Sequence, residues 1–174
     1  GHAPATTERD CLSLDGASPS ARRGAESYSG GTPVAAGRVI GSTVSLQGLI
    51  QNDAALEFEQ AANGVFAGRI GGTGLFDKSG AGLLELTGDN SALRGATTVR
   101  AGELRVTGSL AGSATTVLSG ATLSGTGTVG GLIARSGAIV SPGTNGLGVL
   151  GVNGAIQLQQ GSTLRLQIQA PNGP

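Results

Sequence analysis

Leu84-Glu85-Leu86-Thr87-Gly88 repeats, at an offset of 72, the Leu-x-Leu-x-Gly pattern of Leu12-Ser13-Leu14-Asp15-Gly16. A second pair lies at an offset of 65: Gly95-Ala96-Thr97-Thr98-Val99-Arg100-Ala101-Gly102 repeats Gly30-Gly31-Thr32-Pro33-Val34-Ala35-Ala36-Gly37. The seven-residue difference falls between the two motifs. A long turn at 17–27, carrying Pro19, Arg22, Arg23 and Glu26, absorbs it against Asp89 to Ala92 in the second copy. Strand motifs kept intact on either side of a variable turn are the signature of stacked repeats. Shorter echoes lie nearby: Gly72-Thr73-Gly74 with Gly125-Thr126-Gly127, and Ser79-Gly80-Ala81 with Ser136-Gly137-Ala138.

Outward from these motifs the chain reads as short strands with alternating apolar positions, such as Leu56 and Phe58, Leu104 and Val106, Leu150 and Val152, and Leu164, Leu166 and Ile168. No stretch of about ten residues combines a helical period with freedom from Gly. The 174 residues include 33 Gly, three Phe and one Tyr, with neither Trp nor Met. That is too little bulk for a helical bundle or a mixed α/β core. The six Pro follow no Gly-X-Y period, which excludes collagen. Short strands and frequent turns leave a sandwich, a propeller or a β-helix. A sandwich fills the ~10 Å between two sheets with large side chains. A β-helix needs only narrow ladders of small aliphatics, one coil about 4.8 Å above the next. The reading is therefore all-β: a parallel β-helix of about seven short coils, each of roughly 20 to 22 residues.

Net charge is zero, which removes the basic face of a nucleic-acid binder and the polybasic segment of a membrane-surface protein. Charge is uneven: after Thr107 only Arg135 and Arg165 remain. A lone Cys11 allows no internal disulfide, and a lone His2 cannot build a His-based metal site or a buried triad. Residues 1–11 read as a tag remnant and frayed N-terminus, with Cys11 an unpaired thiol. No signal peptide is visible, no apolar run approaches the ~18 residues of a membrane helix, and 2% aromatic content supplies no girdle for a membrane barrel. We expect no cofactor, no metal, no catalytic residue, no nucleic-acid partner and no direct membrane insertion.

The stretch 72–106 resembles the passenger-associated transport repeat of bacterial type V autotransporters. The residues that carry the resemblance are Gly72 and Gly74, then Lys78, Gly80 and Gly82, then Leu84, Leu86, Gly88 and Asn90, then Gly95, Thr97 and Val99, and finally Gly102 and Leu104. Gly120 to Val129, Ser141-Pro142-Gly143 and Gly161 to Leu166 are similar to the segment C-terminal to the repeat in such passengers. The resemblance covers about residues 28–168 and implies a right-handed parallel β-helix at 12–174. It implies a stem that displays an upstream domain and aids secretion at the surface of a Gram-negative cell. The implied partners are an upstream passenger domain and a downstream translocator β-barrel of the same polypeptide, both outside this chain. Passengers of this kind include subtilisin-like proteases and adhesins.

Rival readings rest on particular residues. Asp53, Glu57 and Glu59 form the closest acidic cluster; a glycosidase-like carboxylate pair is one reading, and a solvated face opposite Leu56 and Phe58 the other. Arg22-Arg23 reads as a charged loop, and Asp77-Lys78 as an exposed corner pair worth under about 1 kcal/mol. Gly71-Gly72-Thr73-Gly74 is neither a calcium nonapeptide nor a phosphate loop. A polysaccharide-active β-helix would need clustered acids, and none occurs after Glu103. An adhesin or weakly self-associating module survives through Thr, Ser and Gly ladders. The low-charge part at about 107–174 is expected to be the more stable and autochaperone-like, with Val117, Leu123, Val129, Ile139, Val140, Leu150, Val152, Leu164, Leu166 and Ile168 as its core.

Overall fold

A computed structural model describes residues 21–22, 31–145 and 147–168. Every named strand pairing in it is parallel, and the described residues contain no helix. The chain winds as a β-solenoid of about seven turns. The first face stacks Ala21–Arg22, Arg38–Gly41, Ala55–Glu59, Leu75–Ser79, Thr97–Val99, Ser109–Val117, Thr128–Ala134 and, last, Gly151–Val152 with Ile156–Leu158. The second stacks Gly64–Phe66, Leu83–Leu86, Glu103–Val106, Thr122–Gly125, Ile139–Pro142 and Thr163–Leu164. The third holds only Thr32–Val34, Leu49–Asn52 and Arg69–Gly71.

Interior ladders run through these faces, because alternate residues of each strand point inward and the register repeats coil after coil. On the first face Val39, Leu56, Phe76, Thr97, Thr115 and Leu132 lie in one ladder. Phe58, Lys78, Val99, Val117 and Ala134 form its neighbour. On the second, Leu84, Leu104, Leu123 and Val140 are all buried. The three phenylalanines meet edge to face, Phe58 with Phe66 at 5.2 Å and with Phe76 at 5.8 Å between ring centres. Such pairs add about 0.5 to 1.5 kcal/mol beyond their burial.

Glycine sets the corners. Gly80 and Gly102 sit where the chain turns from the first face to the second, at φ 78° and 67°, a region costly for other residues. At the far end of the second face, Gly68, Gly88, Gly108 and Gly127 form a column; a Cβ on any of the last three would overlap the carbonyl of the glycine one coil earlier. Side-chain-free corners let backbone pack on backbone, which accounts for the glycine content.

Three expectations need correcting. The offset of 65 is not a structural repeat: Thr32–Val34 pairs with Leu49–Asn52 on the third face, whereas Thr97–Val99 lies on the first. Both copies fold as strand, left-handed glycine (Gly37 or Gly102) and strand, but at different corners of the coil. The local unit depends on its own residues, and its place in the coil on how many precede it. Within the stretch read as a turn at 17–27, Ala21–Arg22 is a short strand paired to Arg38 and Val39. Leu164, Leu166 and Ile168, read as core, are 46%, 64% and 91% exposed, because no further strand covers their edge among the described residues. Cys11, Leu12 to Gly16 and the rest of 17–27 lie outside the described residues.

Candidate functional site

Leu75–Ser79 leads into the Gly80 corner; its pleat turns Phe76 and Lys78 inward and Asp77 outward, where Arg38 and Arg100 cover it so that it too is buried, 5% exposed, and not an exposed corner residue. Lys78 is therefore no exposed corner residue but is fully buried, between Phe58 and Val99 in register. Its Nζ donates to the carbonyls of Ser79 and Gly80, each at 2.8 Å, and of Ala101 at 3.0 Å. Two acceptors come from its own corner and one from the next coil, so the ammonium ties successive coils together. A buried ammonium survives only with such partners. Burial pulls its pKa down to about 8.

Outside the same strand lies a charged ladder spanning three strands and the residue that follows a fourth. Arg38 pairs with Glu57 and, at 3.1 Å, with Asp77; Arg100 reaches Asp77 at 3.3 Å from the other side. Glu57 and Asp77 are register partners, so two like charges sit side by side and the arginines offset their repulsion. Burial opposes the Glu57 charge, but hydrogen bonds from Ser79 and Arg38, with the charges of Arg38 and Arg100, hold its carboxyl below the ordinary value. The acidic cluster read as Asp53, Glu57 and Glu59 is thus split. Glu57 joins Asp77, Glu59 is the register partner of Ser79, and Asp53 lies at another corner. There the Thr73 N–H, at 3.1 Å, and the Gln51 amide lower its pKa. Leu56 and Phe58 fill the interior opposite Glu57, but the outer face is not freely solvated, since the Glu57 and Asp77 side chains are mostly covered by their partners.

The other motif residues occupy stacking positions. Leu84, Leu86, Val99, Leu104 and Thr97 are buried in the ladders. Asn90 is buried and accepts the Ile70 N–H at 2.7 Å, filling the backbone bond left where the third face ends. Asn52, which carries no motif signal, acts similarly by donating to the Leu75 carbonyl at 2.8 Å. At Gly72, Gly74, Gly82, Gly88 and Gly95 a Cβ would overlap the backbone of the preceding coil. Inside the next coils Thr97 and Ser113 share a hydrogen bond of 2.7 Å, and Ser113 also reaches the Gly95 carbonyl. Sequence reasoning misses this hydroxyl pair; a polar residue at a ladder position is its signal. No group of three or more potential metal ligands occurs among the described residues.

Residues 76–106 match the passenger-associated-transport-repeat family. The chain is 39% identical over 121 residues to the Adhesin BmaC autotransporter of Brucella suis biovar 1 (strain 1330), a match that covers 68% of the chain and 4% of that protein. It is 42% identical over 104 residues to the Extracellular serine protease of Serratia marcescens, covering 60% of the chain and 10% of that protein. The chain thus spans a small fraction of either relative. No solved structure gives a significant match. The repeat recognised at 72–106 and the strand order agree on one description: the chain carries a passenger-associated transport repeat of the autotransporter kind on a parallel β-solenoid.

Proposed function

We propose that the chain is the structural stem of a secreted autotransporter passenger, which holds an upstream effector domain away from the cell and promotes coil-by-coil folding during export. The observation that carries this reading is the use of the matched repeat. From Phe76 to Val106 its core and glycine positions, with the Lys78 ammonium, join one coil to the next. Each finished coil presents an open edge on which its neighbour pairs, so folding energy accumulates one interface at a time. The autochaperone-like part is proposed at about 107–174, the low-charge part of the stack. The partners are the upstream passenger and the downstream translocator of the same polypeptide, and the location is the Gram-negative cell surface or the medium. Catalysis in such a protein belongs to another domain.

Export of the full-length parent tests this. Gly88→Val, which jams a coil interface, should reduce surface display severely while the translocator still inserts; wild-type display with this substitution would overturn the stem reading. A second reading, an adhesive module, draws on the name of the Brucella relative. Binding of the purified chain to a glycan array at wild-type strength after Gly88→Val would speak against both readings of a folded stem or module.

A further inference from the structure

The coil that begins at Arg38 is shorter than the next one. Arg38 pairs in register with Ala55, 17 residues on, whereas Ala55 pairs with Leu75, 20 residues on. The deficit of three falls across the second face: Leu49 stands eight residues after Gly41, and their register partners Phe58 and Arg69 are eleven apart. Where the next coil lays down Gly64–Phe66, this one makes a tight turn. The Leu46 N–H donates to the Ser42 carbonyl at 2.8 Å, and the Ser42 N–H to Ser45 Oγ at 3.0 Å. Gln60 fastens the turn from the next coil, accepting the Thr43 N–H at 3.1 Å and donating to Thr43 Oγ1 at 2.9 Å.

Gly64–Phe66 is therefore a sheet edge inside the stack. The Phe66 carbonyl accepts the Thr87 N–H, so alternation aims the N–H and carbonyl of Val65 the other way, toward the short coil. No group among the described residues pairs with them. Beside them runs a groove of about 240 Å³ lined by Gln47, Gly48, Val65, Phe66, Ala67 and Gly68, and Val65 is 56% exposed.

We propose that this groove is a strand-addition site for an extended, uncharged peptide segment of a partner protein. An unpaired donor and acceptor on one edge residue are the groups that a backbone lying alongside satisfies. The deficit of three residues sets the added strand at about 10 Å. None of the six lining residues is charged, so a charged side chain would lose its water there without gaining a partner. Leu46, 2% exposed, already enters the core from the turn, which restricts the segment's inward side chains to small ones such as Ala or Ser. β-Branched residues suit the outward positions beside Val65. The edge lies between one coil and the next, where a free segment can enter but a strand held in a second solenoid cannot. The site is on the flank of the rod, goes beyond the stem reading and does not depend on it.

The test is an NMR titration of the 174-residue chain with the peptide acetyl-Thr-Ala-Val-Ala-Thr-amide. Saturable shifts centred on the Gly48, Val65 and Phe66 amides are expected at about millimolar peptide. The same peptide N-methylated at its three inner residues should bind about tenfold more weakly or worse, because its edge donors are gone. Val65→Pro removes the open-side N–H and should weaken binding about tenfold with the far-UV β spectrum unchanged. Leu75→Lys, at a 55% exposed position of the first face, should leave binding intact. Absence of saturable shifts, equal binding of the N-methylated peptide, or shifts centred on another edge overturns the proposal. Concentration-dependent shifts of the Val65 amide without peptide overturn it in favour of a second copy of the chain. If Val65→Pro does not fold, the comparison of the two peptides decides alone.

Discussion

Residues 31–106 and residues 107–168 belong to one stack of coils but close it in different ways. In the first region three faces meet at glycine corners, the three phenylalanines cluster, and charge is used on both sides of the first face, Lys78 within and the Arg38-Glu57-Asp77-Arg100 ladder without. In the second the third face is gone. Ser109–Val117 and Thr128–Ala134 lengthen to nine and seven residues and carry the chain across its place, with a register shift between Leu110 and Ala114. Few charges are present to be desolvated, but among the described residues no further strand pairs with the last coil. The difference teaches that low charge and burial are separate matters: a ladder residue is fully buried only when a neighbour lies on both sides of it.

The sharpest way to break the comparison is at a corner shared by both regions. Gly88→Val should abolish cooperative folding, a loss above about 4 kcal/mol, because its side chain would occupy the space of the Gly68 carbonyl; a sigmoidal urea melt near the wild-type midpoint would refute it. Leu123→Asp comes next. It places an unpaired carboxylate in the closed ladders of the second region and should cost several kcal/mol in the same melt, with proteolysis first appearing there.

Lys78 asks what the charged interior of the first region contributes. Lys78→Ala should lose about 3 kcal/mol, through cavity formation and three unpaired carbonyls. Lys78→Met keeps the volume and should fall within about 1.5 kcal/mol of wild type; a loss equal to that of Lys78→Ala would show that the ammonium, not packing, matters. The outer ladder gives a smaller effect with a definite sign. Because the folded Glu57 carboxyl titrates below its ordinary 4.5, its contribution is complete above that pH and disappears as pH falls through the lower folded value. Glu57→Gln should remove this part of the acid slope, under about 1 kcal/mol in thermal melts at pH 3 against pH 6. The smallest effect belongs to the open end: Leu166→Ser should change stability by less than about 0.5 kcal/mol, against several for Leu123→Asp.

Much of this fold is legible because a solenoid repeats itself in sequence as well as in space. Alternation locates the buried Leu84, Leu86, Leu104 and Val106, and the pairs Gly72 with Gly125 and Gly80 with Gly137 mark real left-handed turns. Lys78 is misread because lysine is seldom buried, although it stands 20 residues after Phe58, the same step that separates Leu56 from Phe76. Composition outweighs position there, wrongly. The offset of 65 misleads for the opposite reason: a strand, a glycine turn and a strand look alike at any corner of the coil, and only pairing partners tell the corners apart. Leu164 and Ile168 keep the alternation of core residues, but alternation describes which way a side chain points and not whether anything meets it. The charged ladder joins Arg38, Glu57, Asp77 and Arg100 across coils, so no local window could show it.

The glycine column from Gly68 through Gly88 and Gly108 to Gly127 has a bearing on how such a chain can change in length. Each member marks the same station on the circuit, so a segment cut from one glycine to the next is a whole number of turns. Excising residues 69–88 would delete one full circuit and rejoin matching corners, whereas a shorter excision would rotate every later strand onto the wrong face. Genes for chains built this way are free to lengthen or shorten in steps of about one coil, while small insertions are confined to outward turns.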